Sequence, residues 1–234
     1  MTVELNYQGA DRSCQMKNSD AQIAQEEIGR LYDGIAWFYD IWAGLTETRA
    51  RKLALEIAGV QDGWSVLEVA VGTGATFAEL VHQNPNGKNI GIDLSSKMLA
   101  KAKKRLQALP DSTYSLNVSS AYALPVDKDS IDLLMNNYMF DLIPYKDMDK
   151  VINEFRRVLK PDGKLVLVNM TIGERAGSGI YDYFYRLSPK LMGGCRSVRL
   201  ADRLERNGFR VDSREYCQQM LFPSEVILAR KTAS

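Results

Sequence analysis

From Ser65 onward, short β-branched apolar runs alternate with longer stretches of helical periodicity, and this alternation constrains the fold more than any other feature. The runs are Ser65–Ala70, Asn89–Asp93, Tyr114–Val118, Ile131–Met135 and Lys164–Val168, with two further candidates near Phe209–Tyr216 and Glu225–Ala229. Each is short and rich in strand-forming residues, so each reads as a strand. Strand, helix, strand repetition demands crossover connections, hence a mainly parallel sheet with helices on both faces. The expected fold class is α/β: a Rossmann-like, seven-stranded, mainly parallel sheet with helices on both faces, plus N-terminal lid helices.

The helices between these runs carry start and stop signals. Ser95 or Ser96 can cap a helix with Met98, Leu99, Ala102 and Leu106 on one face. Met148, Val151, Ile152, Phe155, Val158 and Leu159 follow the helical period, Pro161 stops that helix, and Asp162-Gly163 turns the chain into the next strand. Ser197 is expected to cap a further helix that Asn207-Gly208 ends. Ile28, Leu31, Ile35, Phe38 and Trp42 form a stripe on an N-terminal helix. The expected organisation is a polar leader over residues 1–20 and one domain over 21–234, in which 21–60 is a helical lid and 64–234 the core. A chain of 234 residues suits one large α/β domain.

Charge and composition exclude several function classes. Thirty basic and twenty-nine acidic residues leave a net charge of +1, without the basic stripe that nucleic acid requires. No apolar run reaches the length of a membrane span, and Asp11, Arg12, Lys17 and Asp20 interrupt the stretch where a signal peptide would need its apolar core. Cys14, Cys195 and Cys217 are too few and too scattered for a disulfide framework, so a cytoplasmic setting is expected. His82 is the one histidine and has no ligand cluster beside it, so no metal site is expected. Lys101, Lys103, Lys104 and Arg105 read as a solvated helix face.

The stretch with the most chemistry is Val66-Leu67-Glu68-Val69-Ala70-Val71-Gly72-Thr73-Gly74-Ala75-Thr76. A buried strand enters a glycine turn, and a helix follows. In a doubly wound sheet such a turn lies at the carboxyl edge, where ligands bind. Gly72 and Gly74 let the backbone come close to a ligand, and the helix start offers unpaired N–H groups. A dinucleotide site would place a third glycine where Phe77 stands. Glu68 lies just before the turn, and Asp93 ends the second strand about twenty residues on, where a carboxylate can accept both ribose hydroxyls. Ribose recognition without a pyrophosphate cradle fits an adenosyl compound with an amino-acid tail.

Glu68–Gly74, Asp93, Ala123-Leu124-Pro125 and Leu159-Lys160-Pro161-Asp162-Gly163 resemble, in order, the motifs of class I S-adenosylmethionine-dependent methyltransferases. The resemblance runs from Tyr32 to Lys231 and is nearest to the ubiquinone/menaquinone C-methyltransferase group, whose quinone branch also shows alanine at the position of Ala70. It implies that Asp93 holds the ribose, Leu94 and Met98 border the adenine, and Gly72 and Gly74 line the methionine tail. Glu68 would organise the loop and the ammonium side. Ser120, before Ala121, stands where relatives carry Asp or Asn facing the adenine amino group. S-adenosyl-L-methionine is the implied cofactor, and S-adenosyl-L-homocysteine the product.

The implied reaction is methyl transfer to a small apolar or aromatic acceptor, either a quinone-like carbon or an amine or phospholipid-headgroup nitrogen, a lipidic acceptor included. The alternative is a binding module that senses the adenosyl compound, or serves as a partner subunit, without turnover. A monomer or a homodimer is expected. Tyr32 and Tyr39 resemble the family's Tyr-x-x-x-Ala-x-x-Tyr-Asp signature near the cofactor. Asn137-Tyr138-Met139-Phe140-Asp141 resembles the loop that passes beside the transferable methyl. Asp141 and Tyr39 are the expected catalytic groups. Tyr39, Tyr138, Phe140, Tyr185 and Arg196 are the expected acceptor-side residues, with Tyr32 and Asn137 on the cofactor side.

Overall fold

The computed structural model describes residues 48–109, 113–171, 196–219 and 222–232. Helix α1 (Thr48–Ala58) precedes β1 (Ser65–Val69), α2 (Ala75–Gln83), β2 (Lys88–Asp93), α3 (Ser96–Leu106) and β3 (Tyr114–Val118). The chain then crosses to β4 (Ile131–Asn137), a 3-10 turn (Phe140–Leu142), α4 (Met148–Val158) and β5 (Leu159–Met170). It ends with α5 (Ala201–Arg206), β6 (Phe209–Gln219) and β7 (Phe222–Lys231).

All seven strands form one sheet in the order β3-β2-β1-β4-β5-β7-β6. The neighbours from β3 to β5 pair in parallel, and β7 pairs antiparallel with both β5 and β6. The sheet begins at its centre. It grows outward through β2 and β3, returns to β4, and so reverses direction between β1 and β4. At such a reversal the loops leaving the two strands diverge to opposite faces and open a crevice at the carboxyl edge.

Burial explains the two layers. On one face Val66, Leu133, Met135 and Val166 pack under α1, α2 and α3, through Ala54, Phe77, Leu80 and Ala102. On the other, Leu67, Leu134, Leu165 and Ile227 pack under α4 and α5, through Val151, Ile152, Phe155 and Leu204. The period-two alternation along the strands sends neighbouring residues to opposite faces. The three- and four-residue spacing of Met148, Val151, Ile152, Phe155 and Val158 gives α4 one buried side. Ser95 caps α3 by accepting the Met98 N–H at 3.0 Å.

Two expectations change. The helix expected after Ser197 starts later: Leu200 is its N-cap, and Val198 donates its N–H to the Met170 carbonyl instead, so the segment is first held in irregular conformation against the end of β5. Asn207 and Gly208 do end that helix, with Gly208 at φ 78°. Within the span expected as a lid, Thr48–Ala58 lies in the body of the fold, with Ala50, Ala54 and Ala58 buried against the sheet. The remainder of the lid and the leader lie outside the described residues. Among the described residues, no helix is long and apolar enough to cross a membrane.

Candidate functional site

The crevice between β1 and β4 is built by the loop from Ala70 to Gly74. Three of its residues take left-handed backbone angles: Ala70 at φ 61°, Gly72 at φ 56° and Gly74 at φ 80°. Gly74 is required twice over. A Cβ there would lie 2.8 Å from the Cβ and 2.9 Å from the Cα of Ala102, so glycine also permits the close approach of α2 to α3. Alanine at φ 61° is strained by about 1 kcal/mol relative to glycine. The larger entropy of unfolded glycine offsets part of that gain. Ala70→Gly is therefore expected to raise the melting temperature by about 1–2 °C, measured by scanning calorimetry. A decrease would mean that the Ala70 methyl contributes more through packing than it costs in strain.

Asp93 ties two loops together. Its Oδ2 accepts the Gly72 N–H and its Oδ1 accepts the Ser95 N–H, both at 2.8 Å. The carboxylate therefore has one orientation, at the edge of the crevice, with Leu94 beside it 40% exposed and Met98 buried beneath. Ser119 donates its N–H to the Asp93 carbonyl at 3.0 Å, bringing the loop with Ser120 and Ala121 alongside. The Ser120 hydroxyl accepts the Tyr122 N–H at 3.3 Å, and Ala121 is buried.

Glu68 and Asn137 face each other across β1 and β4. Asn137 Nδ2 donates to Glu68 Oε1 at 3.0 Å and reaches the Thr76 hydroxyl at 3.4 Å. Glu68 is buried, and that burial pushes its carboxyl up to about 8, against smaller opposing effects of the Asn137 hydrogen bond and the Arg51 charge. Glu68 Oε2 and Asn137 Oδ1 are both buried and have no hydrogen-bond partner among the described residues.

Four residues expected around the acceptor are placed elsewhere. The Tyr138 side chain packs under the face covered by α1, and its hydroxyl bonds with the Ser224 hydroxyl at 2.9 Å. Phe140 packs on the opposite face, edge-on to Phe155 with centroids 5.8 Å apart. The Asp141 carboxylate is buried and accepts the Met170 N–H with both oxygens at 3.1 Å. A group closed off in this way organises the end of β5 and does not suit proton exchange with an acceptor. Arg196 donates to the carbonyls of Asp141 and Ile143 and stacks on Tyr145, 4.3 Å from the ring centroid, so it braces the chain here and is no surface anion hook. Tyr32, Tyr39 and Tyr185 lie outside the described residues.

Other contributors carry no signal in the linear sequence. Arg105, read as part of a solvated face, donates from α3 to the Thr73 carbonyl at 2.9 Å and to its hydroxyl at 3.2 Å, pinning the glycine loop; Lys103 and Lys104 do stay exposed. Phe77 fits where a glycine would stand in a dinucleotide site because the strand supplies the space. A Cβ on Gly91 of β2 would lie 3.1 Å from Phe77 Cζ and 2.7 Å from Leu116 Cδ2.

A family profile described as a methyltransferase domain matches residues 66–163, the span from β1 to the turn in β5. The demethylmenaquinone methyltransferase of Thermotoga maritima is 32% identical over 171 residues, covering 70% of this chain and 72% of that one. The chain belongs to the class I S-adenosylmethionine-dependent methyltransferases. S-adenosylmethionine is thus the methyl donor of this enzyme. The fold of this methyltransferase recurs in a SAM-dependent methyltransferase from Aquifex aeolicus, with a TM-score of 0.61, 20% identity, and coverage of 89% of this chain and 99% of that one. It also recurs in the 4+2 cyclase SpnF, with a TM-score of 0.71, 18% identity, and coverage of 93% and 100%. The shared fold alone does not separate those two chemistries; the relatedness in sequence does.

Proposed function

We propose that this methyltransferase acts on a small apolar or aromatic acceptor, a quinone-like carbon first, with the cofactor held in the crevice between β1 and β4. The observation that carries the placement is the pair of unpartnered, buried acceptors, Glu68 Oε2 and Asn137 Oδ1, at one end of a glycine cradle whose other end is the fixed carboxylate of Asp93. An ammonium donor suits the first end, and two adjacent hydroxyls suit the second. Gly72 and Gly74 lie on the stretch between them, both at left-handed backbone angles that favour glycine. The exposed face of Leu94 offers an apolar rest for the base.

The sulfonium supplies an already activated methyl group, so the protein has to align the acceptor and exclude water. Asp93 and the Glu68–Asn137 pair anchor opposite ends of the donor. Relatives named for demethylmenaquinone methylation support the quinone-like acceptor for this chain.

Two measurements test the reading. Asp93→Ala is expected to weaken S-adenosylhomocysteine binding about 100-fold by calorimetry, the loss of two hydrogen bonds to a charged group. Binding equal to that of the unmodified protein would reject the placement. For the acceptor, the protein is incubated with S-adenosylmethionine and either a short-chain demethylated naphthoquinol or phosphoethanolamine, and products are weighed by mass spectrometry. A gain of one methyl on the naphthoquinol alone is expected. Methylation of the amine alone would overturn the quinone-like assignment.

A further inference from the structure

One of the sequence motifs is held by the helix that leads into another. The loop from Ser119 to Val126 carries Ala123-Leu124-Pro125, and α4 leads into Leu159-Lys160-Pro161-Asp162-Gly163. On α4, Glu154 Oε1 accepts the Leu124 N–H at 2.7 Å, while Arg157 donates to the Leu124 carbonyl at 3.1 Å and the Val126 carbonyl at 2.9 Å. The two side chains also bond each other as a fork, Nε to Oε2 and Nη2 to Oε1, both at 2.8 Å.

An i,i+3 ion pair on a helix contributes little as a pair. This one does something else: it grips both the N–H and the C=O of Leu124 in a loop that has no strand partner between Val118 and Ile131. The planar guanidinium can serve a carboxylate and two carbonyls together, which an ammonium cannot do in the same geometry. Upstream of the grip, the loop is anchored through Ser119 to the Asp93 carbonyl at 3.0 Å. Ser120 and Ala121 thus sit between two fixed points, beside the carboxylate proposed to hold the ribose.

We infer that Arg157 and Glu154 are positioning residues for recognition of the cofactor's base, holding the Ser120–Ala121 wall at the distance at which it can read the edge of the adenine. The inference rests on the cofactor placement proposed above. It assigns a positioning role to two side chains that act through the loop.

The test compares S-adenosylhomocysteine with S-inosylhomocysteine, which differs at the base edge, by calorimetry on the full chain. The unmodified protein is expected to prefer the adenosyl ligand. Glu154→Gln and Arg157→Lys both preserve size and are expected to fold, which a melting curve checks. Each is expected to reduce that preference at least fivefold, through weaker adenosyl binding, while Asp93→Ala weakens both ligands and preserves the ratio. A ratio unchanged in both α4 variants, or no preference in the unmodified protein, overturns the inference. Normal binding of both ligands by Asp93→Ala overturns the cofactor placement and this inference with it, and is recognisable by that variant alone.

Discussion

Gly74→Ala is expected to lower the melting temperature by roughly 6–12 °C and to abolish measurable binding of S-adenosylhomocysteine. Two costs combine at this position. A side chain at φ 80° costs about 1–2 kcal/mol. A Cβ 2.8 Å from that of Ala102 forces α2 away from α3, an overpacking cost of about 1–3 kcal/mol. Their sum, about 3 kcal/mol, corresponds to that shift in a domain of this size. The displacement also moves Gly72, whose N–H is bonded to Asp93, so the carboxylate proposed to hold the ribose turns with the loop. A double variant separates the costs. Adding Ala102→Gly removes the Cβ contact but leaves the 2.9 Å approach to the residue's Cα and the backbone angle, and glycine within α3 costs about 1 kcal/mol by itself. The double variant is therefore expected to be no less stable than Gly74→Ala. If the two changes instead add, the contact with the Ala102 Cβ is not what requires glycine.

Raising the pH from 5 to 9 is expected to cost the ligand-free protein several kcal/mol of stability, and Glu68→Gln to remove that loss. Burial holds the folded-state carboxyl at about 8, against an ordinary value of 4.5. Below 4.5 both states carry the proton. Between the two values the unfolded chain ionises while the folded one does not, so stability falls at about 1.4 kcal/mol per pH unit. The fall ends once the folded group ionises, near pH 8. The readout is the difference in melting temperature between Glu68→Gln and the unmodified protein, since groups common to both cancel. A difference constant across this range would mean that Glu68 is ionised in the fold. The same carboxyl gives a ligand signature. If Glu68 receives the ammonium of the amino-acid tail, binding of S-adenosylhomocysteine at pH 7 releases a proton, and binding above pH 9 does not. Calorimetry in buffers of different ionisation enthalpy measures that number directly.

The parts of the fold legible beforehand are those written by local periodicity. The five parallel strands, the cap at Ser95 and the buried face of α4 follow from patterns within about a dozen residues, and those patterns survive folding because the core rewards them. Reading weakened where a local signal competed with a tertiary partner. Ser197 looks like a helix cap, but the end of β5 that runs past β4 holds the segment first, through the bond from the Val198 N–H to the Met170 carbonyl. The aromatics after β4 look like pocket lining. Yet Tyr138, at φ 53°, turns its ring under one face of the sheet while Phe140 goes under the other. Arg105 looks solvated because its neighbours Lys103 and Lys104 are, and only the position of Thr73 on another element shows otherwise.

By itself, the sequence determined the order of strands and helices, the glycine turn after β1 and the spacing that carries Glu68 and Asp93 to one sheet edge. Those features depend on backbone conformation and on side-chain alternation, which short stretches encode. The tertiary structure alone decided that the small residue beneath Phe77 is Gly91 on the next strand, and that α4 grips Leu124 from thirty residues away. It also decided that Glu68 and Asn137 share a buried site with acceptors left over. Each of these is a distance between segments remote in sequence, set by how the two helical layers pack on the sheet, and no local pattern records such a distance.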